Sequence, residues 1–118
     1  MEDAVDELHE AATAFDKALA DKGATLDSAR RAKLSAQLRD IDQLLLDDRG
    51  LPDRPWYKNL VYAPGRFTGY GAKTLPGVRE AIEERRFDDA TVYAGRTAKV
   101  LRDYAARLDA ARATVEGR

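Results

Sequence analysis

Side chains able to do chemistry are few in this 118-residue chain, and most of them stand alone. The single histidine, His9, lies between Leu8 and Glu10, with Asp6 just upstream. A zinc ion there would find only carboxylates as further ligands, because no second histidine exists to complete a usual site. His9 is therefore read as a solvated side chain on a polar helix face. Ser28 and Ser35 fall at the start of a helix or inside it, far along the chain from His9, so no Ser–His nucleophile is indicated. Cysteine is absent, which removes disulfides and thiolate metal sites and leaves the compartment undecided. The sequence thus offers no catalytic residue and no metal ligand set.

One stretch imitates a phosphate-binding loop. "GRFTGYGAKT" at 65–74 is rich in glycine and ends in Lys-Thr. The P-loop pattern G-x-x-x-x-G-K-[ST] needs glycine amides around phosphate and the lysine directly after the last glycine. Counting from Gly65, the sixth position is Tyr70, and Lys73 follows Ala72, so nucleotide binding is not expected. Tyr70, Arg66 and Lys73 remain the natural ligands if the chain is a free-standing binder of small anions. Nucleic acid is not an expected partner: Arg30, Arg31, Lys33, Arg85 and Arg86 form small clusters interleaved with acids.

The elements that must carry these residues are mostly helical. Val5, Leu8, Ala12, Phe15 and Leu19 follow 3-4-3-4 spacing, which predicts a helix over about 3–21 with those residues facing inward. Lys22-Gly23 marks its end. A second helix is expected over 27–47, capped by Thr25 or Asp27 and striped by Leu34, Leu38, Ile41, Leu44 and Leu45. The short gap between the two favours an antiparallel hairpin. "TLPGVREAIEERR" reads as a short helix over 76–86 with Pro76 in its first turn and Val78, Ala81 and Ile82 inward. The last helix, 89–116, buries Thr97, Val100, Tyr104, Leu108, Ala111 and Val115, with Val92, Tyr93 and Leu101 beside them. Asp88 and Asp89 suit its positive end. Gly95 inside it costs about 1 kcal/mol relative to alanine, for close packing or as slack; the residues alone do not decide. No such stripe can be buried by its own helix, so the expected fold is all-α and four-helix-bundle-like, a single domain over 1–118.

Between the second and third helical elements lies a long irregular loop, 48–75. Residues 49–77 hold all 4 prolines, 5 of the 8 glycines, the only tryptophan and three of the five tyrosines. The net charge of the chain is −1, yet Arg49, Arg54, Lys58, Arg66 and Lys73 face only Asp53 within 49–73. "WYKNLVYAP", bracketed by Pro55 and Pro64, suits an extended segment with one short strand. So long a stretch without helix points to function or an external contact. Trp56, Tyr57, Leu60, Tyr62 and Phe67 exceed what thin helices can hide, and they form the candidate interaction surface. No apolar run reaches the roughly 20 residues that span a bilayer. "MEDAVDELHE" is acidic and does not read as a signal peptide. Met1 is readable as an expression start placed before a domain cut from a longer protein.

At these residues the chain resembles a known family. "RGLPDRPWYKNLVYAPG", followed by Tyr70 and by "LPGV" at 75–78, is similar to the transferrin receptor-like dimerisation domain. This is the C-terminal helical domain of the glutamate carboxypeptidase and transferrin receptor family. The run Gly50 to Tyr57, Tyr62-Ala63-Pro64 and Pro76-Gly77 match in order and spacing, and the resemblance covers nearly the whole chain. It implies a non-catalytic domain of a homodimeric two-zinc peptidase or a non-catalytic relative, with both zinc ions in a separate protease domain. It implies that the loop packs on that protease domain and, in glutamate-cleaving members, reaches the substrate pocket. There a Lys-Tyr pair grips the substrate carboxylate; Tyr70 falls at the tyrosine, Gly69 at the lysine. Asn59 takes a pocket-facing position where glutamate carboxypeptidases carry histidine. The missing lysine puts selectivity for C-terminal glutamate in doubt, although Arg66 or Lys73 stand near enough in sequence to compensate.

Overall fold

The structure, a computed structural model, describes residues 1–67 and 69–118. Among them the chain is mostly helical, with four α-helices and one small antiparallel sheet. The helices are α1 (Glu2–Lys22), α2 (Ser28–Leu38), α3 (Pro76–Glu83) and α4 (Phe87–Glu116); the strands are β1 (Tyr62–Pro64) and β2 (Ala72–Thr74). The chain divides into two compact units, one of residues 2–44 with 101–118, the other of residue 1 with 45–100. The helix α4 contributes to both.

The first unit is helix on helix. Glu2 and Asp3 open α1 and Lys22 closes it, so both ends carry the charge the helix dipole favours. Asp27 caps α2, its carboxylate accepting from the Arg30 N–H at 2.8 Å. The core joins Ala11, Phe15 and Ala18 of α1, Leu26, Leu34 of α2, and Ala105, Leu108, Ala111 and Val115 of α4. Alanine at so many of these positions lets helices approach closely, and Phe15 fills the space between them. The inward face of α1 is therefore Ala4, Ala11, Phe15 and Ala18. Val5 and Leu19, expected inside, lie exposed on its flank, while Leu8 and Ala12 pack at the core's edge. Apolar periodicity located the helix but not the face, because the smallest side chains won the interior.

The expected second helix over 27–47 is two pieces. Its α-helical part stops at Leu38, and a 3₁₀ segment covers Ile41–Leu45. The far end of the expected helix is engaged elsewhere. The Leu45 carbonyl accepts from the Leu60 N–H at 3.1 Å, and the Asp47 N–H donates to the Lys58 carbonyl at 2.9 Å. Backbone groups committed to the loop cannot also continue an α-helical ladder, and a tighter 3₁₀ turn makes the transition.

The second unit turns the expected irregular loop into a built object. Its core is Leu51, Leu60, Ala63, Tyr93 and Val100, with Tyr57 and Val78 at the edge. Leu51 to Tyr57 forms a tight double turn through Leu51 N–H to Tyr57 O, Arg54 N–H to Leu51 O and Tyr57 N–H to Arg54 O, at 2.9, 3.0 and 3.0 Å. Gly50 enters it at φ +68°, where a Cβ would lie 2.4 Å from the Pro55 carbonyl oxygen; only glycine fits. β1 pairs with β2 in the register Tyr62↔Thr74, Ala63↔Lys73 and Pro64↔Ala72, so one short strand expected from sequence has a partner. Gly77 lies under the Tyr93 ring, which a Cβ would meet at 2.3 Å.

α3 ends at Glu83, short of the expected 86, and buries Pro76, Gly77, Glu80 and Ala81 while Ile82 faces out. On α4, Thr97, Val100, Leu108, Ala111 and Val115 are buried as their spacing predicts, with Tyr93 and Leu101 beside them. Val92, expected beside that stripe, is instead 50% exposed.

Candidate functional site

The loop residues are positioned by one buried ion pair that the sequence does not advertise. Arg54 and Glu80 are both nearly inaccessible, and Arg54 Nη2 donates to Glu80 Oε2 at 2.6 Å. Arg54 Nη1 donates to the Pro64 carbonyl at 2.8 Å, and Glu80 Oε1 accepts from the Arg66 N–H at 3.0 Å. The guanidinium also lies over the Tyr57 ring, 5.4 Å from its centroid. One charge pair thus fastens the double turn, the end of β1 and α3 to each other. Hydrogen bonds to both Nη atoms of Arg54 and to both Glu80 oxygens offset the burial of two charges, while Arg54 Nε is buried without a hydrogen-bond partner among the described residues. The sequence signal was present only as an arginine between prolines; its partner, 26 residues away, had none.

The Tyr93 hydroxyl donates to the Gly50 carbonyl at 2.8 Å, a buried contact that closes the loop's entry. Burial, chiefly, pushes the Tyr93 phenol above its ordinary value. Asp47 is held below the usual carboxylate range mainly by the hydrogen bond from Arg49.

Around this frame the expected surface residues separate. Phe67 is 81% exposed and Trp56 68%; Tyr62 and Tyr70 are also exposed. Tyr57 is half-buried against the unit's core. Leu60, placed on the candidate interaction surface by its composition, is 1% exposed and belongs to the core instead. Its N–H is tied to Leu45, which turns its side chain inward.

Trp56, Tyr57, Asn59 and Tyr62, with Leu46 and Pro64, line an open groove of about 410 Å³. Asn59 is held there by its own carbonyl, Oδ1, which accepts from the Val61 N–H at 2.9 Å and the Tyr62 N–H at 3.1 Å. Gly69 and Tyr70 do not line that groove; they sit in the turn between β1 and β2. Gly69 has φ +60° with no atom near where a Cβ would be. A lysine at this position would pay for a left-handed backbone, not for a clash.

The two cations nearest Tyr70 in sequence already have partners. Arg66 pairs with Asp53 at 2.8 Å and Glu84 at 3.4 Å, and Lys73 pairs with Glu83. The Lys73 hydrogen bond is the main reason the Glu83 carboxyl lies below its ordinary value. Ready-made charge for a small anion is therefore scarce at this turn. His9 is exposed on α1. Among the described residues no group of three or more His, Cys, Asp or Glu could hold a metal ion. No helix among them is long and apolar enough to cross a membrane.

Comparison with known proteins matches this sequence to one family. A probable glutamate carboxypeptidase, LAMP1, of Arabidopsis thaliana is 36% identical over 66 residues, covering 56% of this chain and 10% of that protein. A probable glutamate carboxypeptidase of Arthroderma benhamiae is 35% identical over 75 residues, 64% of this chain and 10% of its own length. Vacuolar protein sorting-associated protein 70 of Saccharomyces cerevisiae is 38% identical over 50 residues, 42% of this chain and 6% of that protein. The chain thus spans about a tenth or less of the length of the relatives it matches. The pattern of the transferrin receptor-like dimerisation domain matches residues 1–109, and the chain belongs to that family.

Proposed function

We propose that this chain is the non-catalytic dimerisation domain of a glutamate carboxypeptidase-like zinc metallopeptidase, and that it brings two copies of its parent together as a homodimer. The two zinc ions of such a parent would lie in its protease domain, and no step of their chemistry runs through residues of this chain. The observation that carries the reading is the set of aromatic side chains left exposed on a hydrogen-bonded frame. Trp56, Tyr62, Phe67 and Tyr70 are exposed, although the Arg54–Glu80 pair and Tyr93 fix the loop that bears them. Fastening the loop by buried contacts while leaving its largest apolar groups in water is explained by a counterface. In this reading the Trp56–Tyr62 groove packs on the parent's protease domain, and Tyr70 lines its substrate pocket.

The alternative, a free-standing anion binder at Tyr70, Arg66 and Lys73, is disfavoured by the ion pairs both cations already make. Titration calorimetry of the chain with acidic peptides tests it, and the expected result is no measurable heat. The main reading is tested in the parent. Trp56→Ala with Tyr62→Ala should loosen the loop's contact and raise its proteolytic cleavage, whereas Tyr70→Phe should raise KM for substrates with a free C-terminal carboxylate. Unchanged cleavage and unchanged KM together would refute both loop roles.

A further inference from the structure

Gly95 poses a question that its own chain does not answer. It sits inside the 30-residue helix α4, is exposed, and has no atom within 4 Å of where a Cβ would be. A mid-helix glycine destabilises relative to alanine, and no close approach among the described residues requires it. Its neighbours on the same face are Asp88, Val92 and Lys99, spaced four, three and four residues apart, and all are exposed. That spacing keeps the four on a single stripe of the helix.

The stripe is complementary to itself when reversed. A two-fold axis crossing α4 between Tyr93 and Ala94 runs two copies of the helix antiparallel. It sets Val92 of each copy opposite Gly95 of the other, and Asp88 opposite Lys99. The valine enters the space left by the missing side chain, and each carboxylate meets an ammonium at both ends of the contact. A closed two-fold contact of this kind uses the same patch on both copies and cannot propagate into a filament. Running the helices parallel would instead bring Asp88 against Asp88, Lys99 against Lys99 and Val92 against Val92, with the glycines facing an empty gap.

We propose that the Asp88–Val92–Gly95–Lys99 face of α4 is where a second copy of this chain docks, with the two α4 helices antiparallel and crossing at Val92 and Gly95. This deepens the dimerisation reading and rests on it. One helix crossing covers less than the roughly 800 Å² per partner of a standard interface, so the self-association of the chain alone lies in the weak regime.

Sedimentation equilibrium of the full 118-residue chain, from micromolar to millimolar, is the test. Gly95→Trp fills the recess from an exposed position where a Cβ meets no described atom, so helicity by circular dichroism should be retained. Dimer affinity should nevertheless fall by roughly tenfold or more. Asp88→Lys and Lys99→Asp should each weaken the dimer, and the two combined should restore it, a rescue that no merely structural role would give. A dimer indifferent to Gly95→Trp and to the charge reversals overturns this docking face and leaves dimerisation standing. A wild-type chain that is monomeric throughout overturns both.

Discussion

The unit of residues 2–44 and 101–118 and the unit of 45–100 solve folding by different means. In the first, apolar residues repeat along helices, and no single contact dominates a core of Ala11, Phe15, Ala18, Leu34, Leu108 and Val115. In the second, the core is small, Leu51, Leu60, Ala63, Tyr93 and Val100. Its order comes from particular atoms instead: a buried ion pair, a tyrosine hydroxyl and two glycines that tolerate no side chain. Redundant packing degrades gradually under substitution. A frame of individual contacts fails at each member.

That contrast is broken hardest at the ion pair. Arg54→Met leaves the Glu80 carboxylate buried and unpaired, and should destabilise the loop unit by about 3–5 kcal/mol. Hydrogen exchange at amides of residues 51–64 is the direct readout. Arg54→Met with Glu80→Leu should be milder than either single change, because no lone charge is then buried. If the double variant is worse than both, the pair supplies net stability and not only geometry. Phe15→Ala, the heaviest loss available to the helical core, should cost a similar 3–5 kcal/mol. Each of the alanines around it, changed to glycine, should cost only about 1 kcal/mol. Finding several alanines as critical as Phe15 would erase the distinction between the units.

The same difference decides how much was legible in the sequence. The helices α1, α3 and α4 announce themselves by periodicity and by Lys22-Gly23, Pro76 and Asp88-Asp89. Thr97, Val100, Leu108, Ala111 and Val115 fall on the predicted face. Periodicity weighs bulk, however, so it favoured Val5 and Leu19 over Ala4 and Ala18, which the interior selected for smallness. It also carried the second helix through to 47, since it cannot know that the Leu45 and Asp47 backbone pairs with Leu60 and Lys58. The family was readable from Gly50 to Tyr57 and from Pro76-Gly77, and two of those glycines prove to be the positions where a Cβ has no room. What stayed hidden is nonlocal: Leu60 turning inward, β2 pairing with β1, and Glu80 answering Arg54.

Smaller effects sharpen the comparison. Gly77→Ala drives a methyl into the Tyr93 ring and should destabilise the loop unit by about 1–3 kcal/mol. Thermal unfolding monitored by tyrosine near-ultraviolet dichroism reads this loss. Asp27→Ala removes the cap that accepts from the Arg30 N–H and should cost about 1 kcal/mol. Amide exchange at the start of α2 reports it. A cap on one helix should be the larger of the single-residue effects that surface positions of the helical unit allow.

The last effect is smallest and separates the units by pH. Tyr93 has its pKa raised from 10.0, chiefly because burial disfavours the phenolate. In the unfolded chain the phenol deprotonates near its ordinary value, while in the folded chain it stays protonated and keeps donating to the Gly50 carbonyl. Between those two values the unfolded state holds fewer protons, so stability falls as pH rises. The contribution is whole below pH 10.0 and is lost progressively as pH climbs through the folded value. A spectrophotometric titration should therefore show a tyrosine ionising above its ordinary value that is missing from Tyr93→Phe. Tyr93→Phe should flatten the alkaline loss of protection at loop amides while leaving α1 amides unchanged. A titration in which Tyr93→Phe removes no such late-ionising group would mean that the hydroxyl is in water, and that the loop's entry is not closed as described.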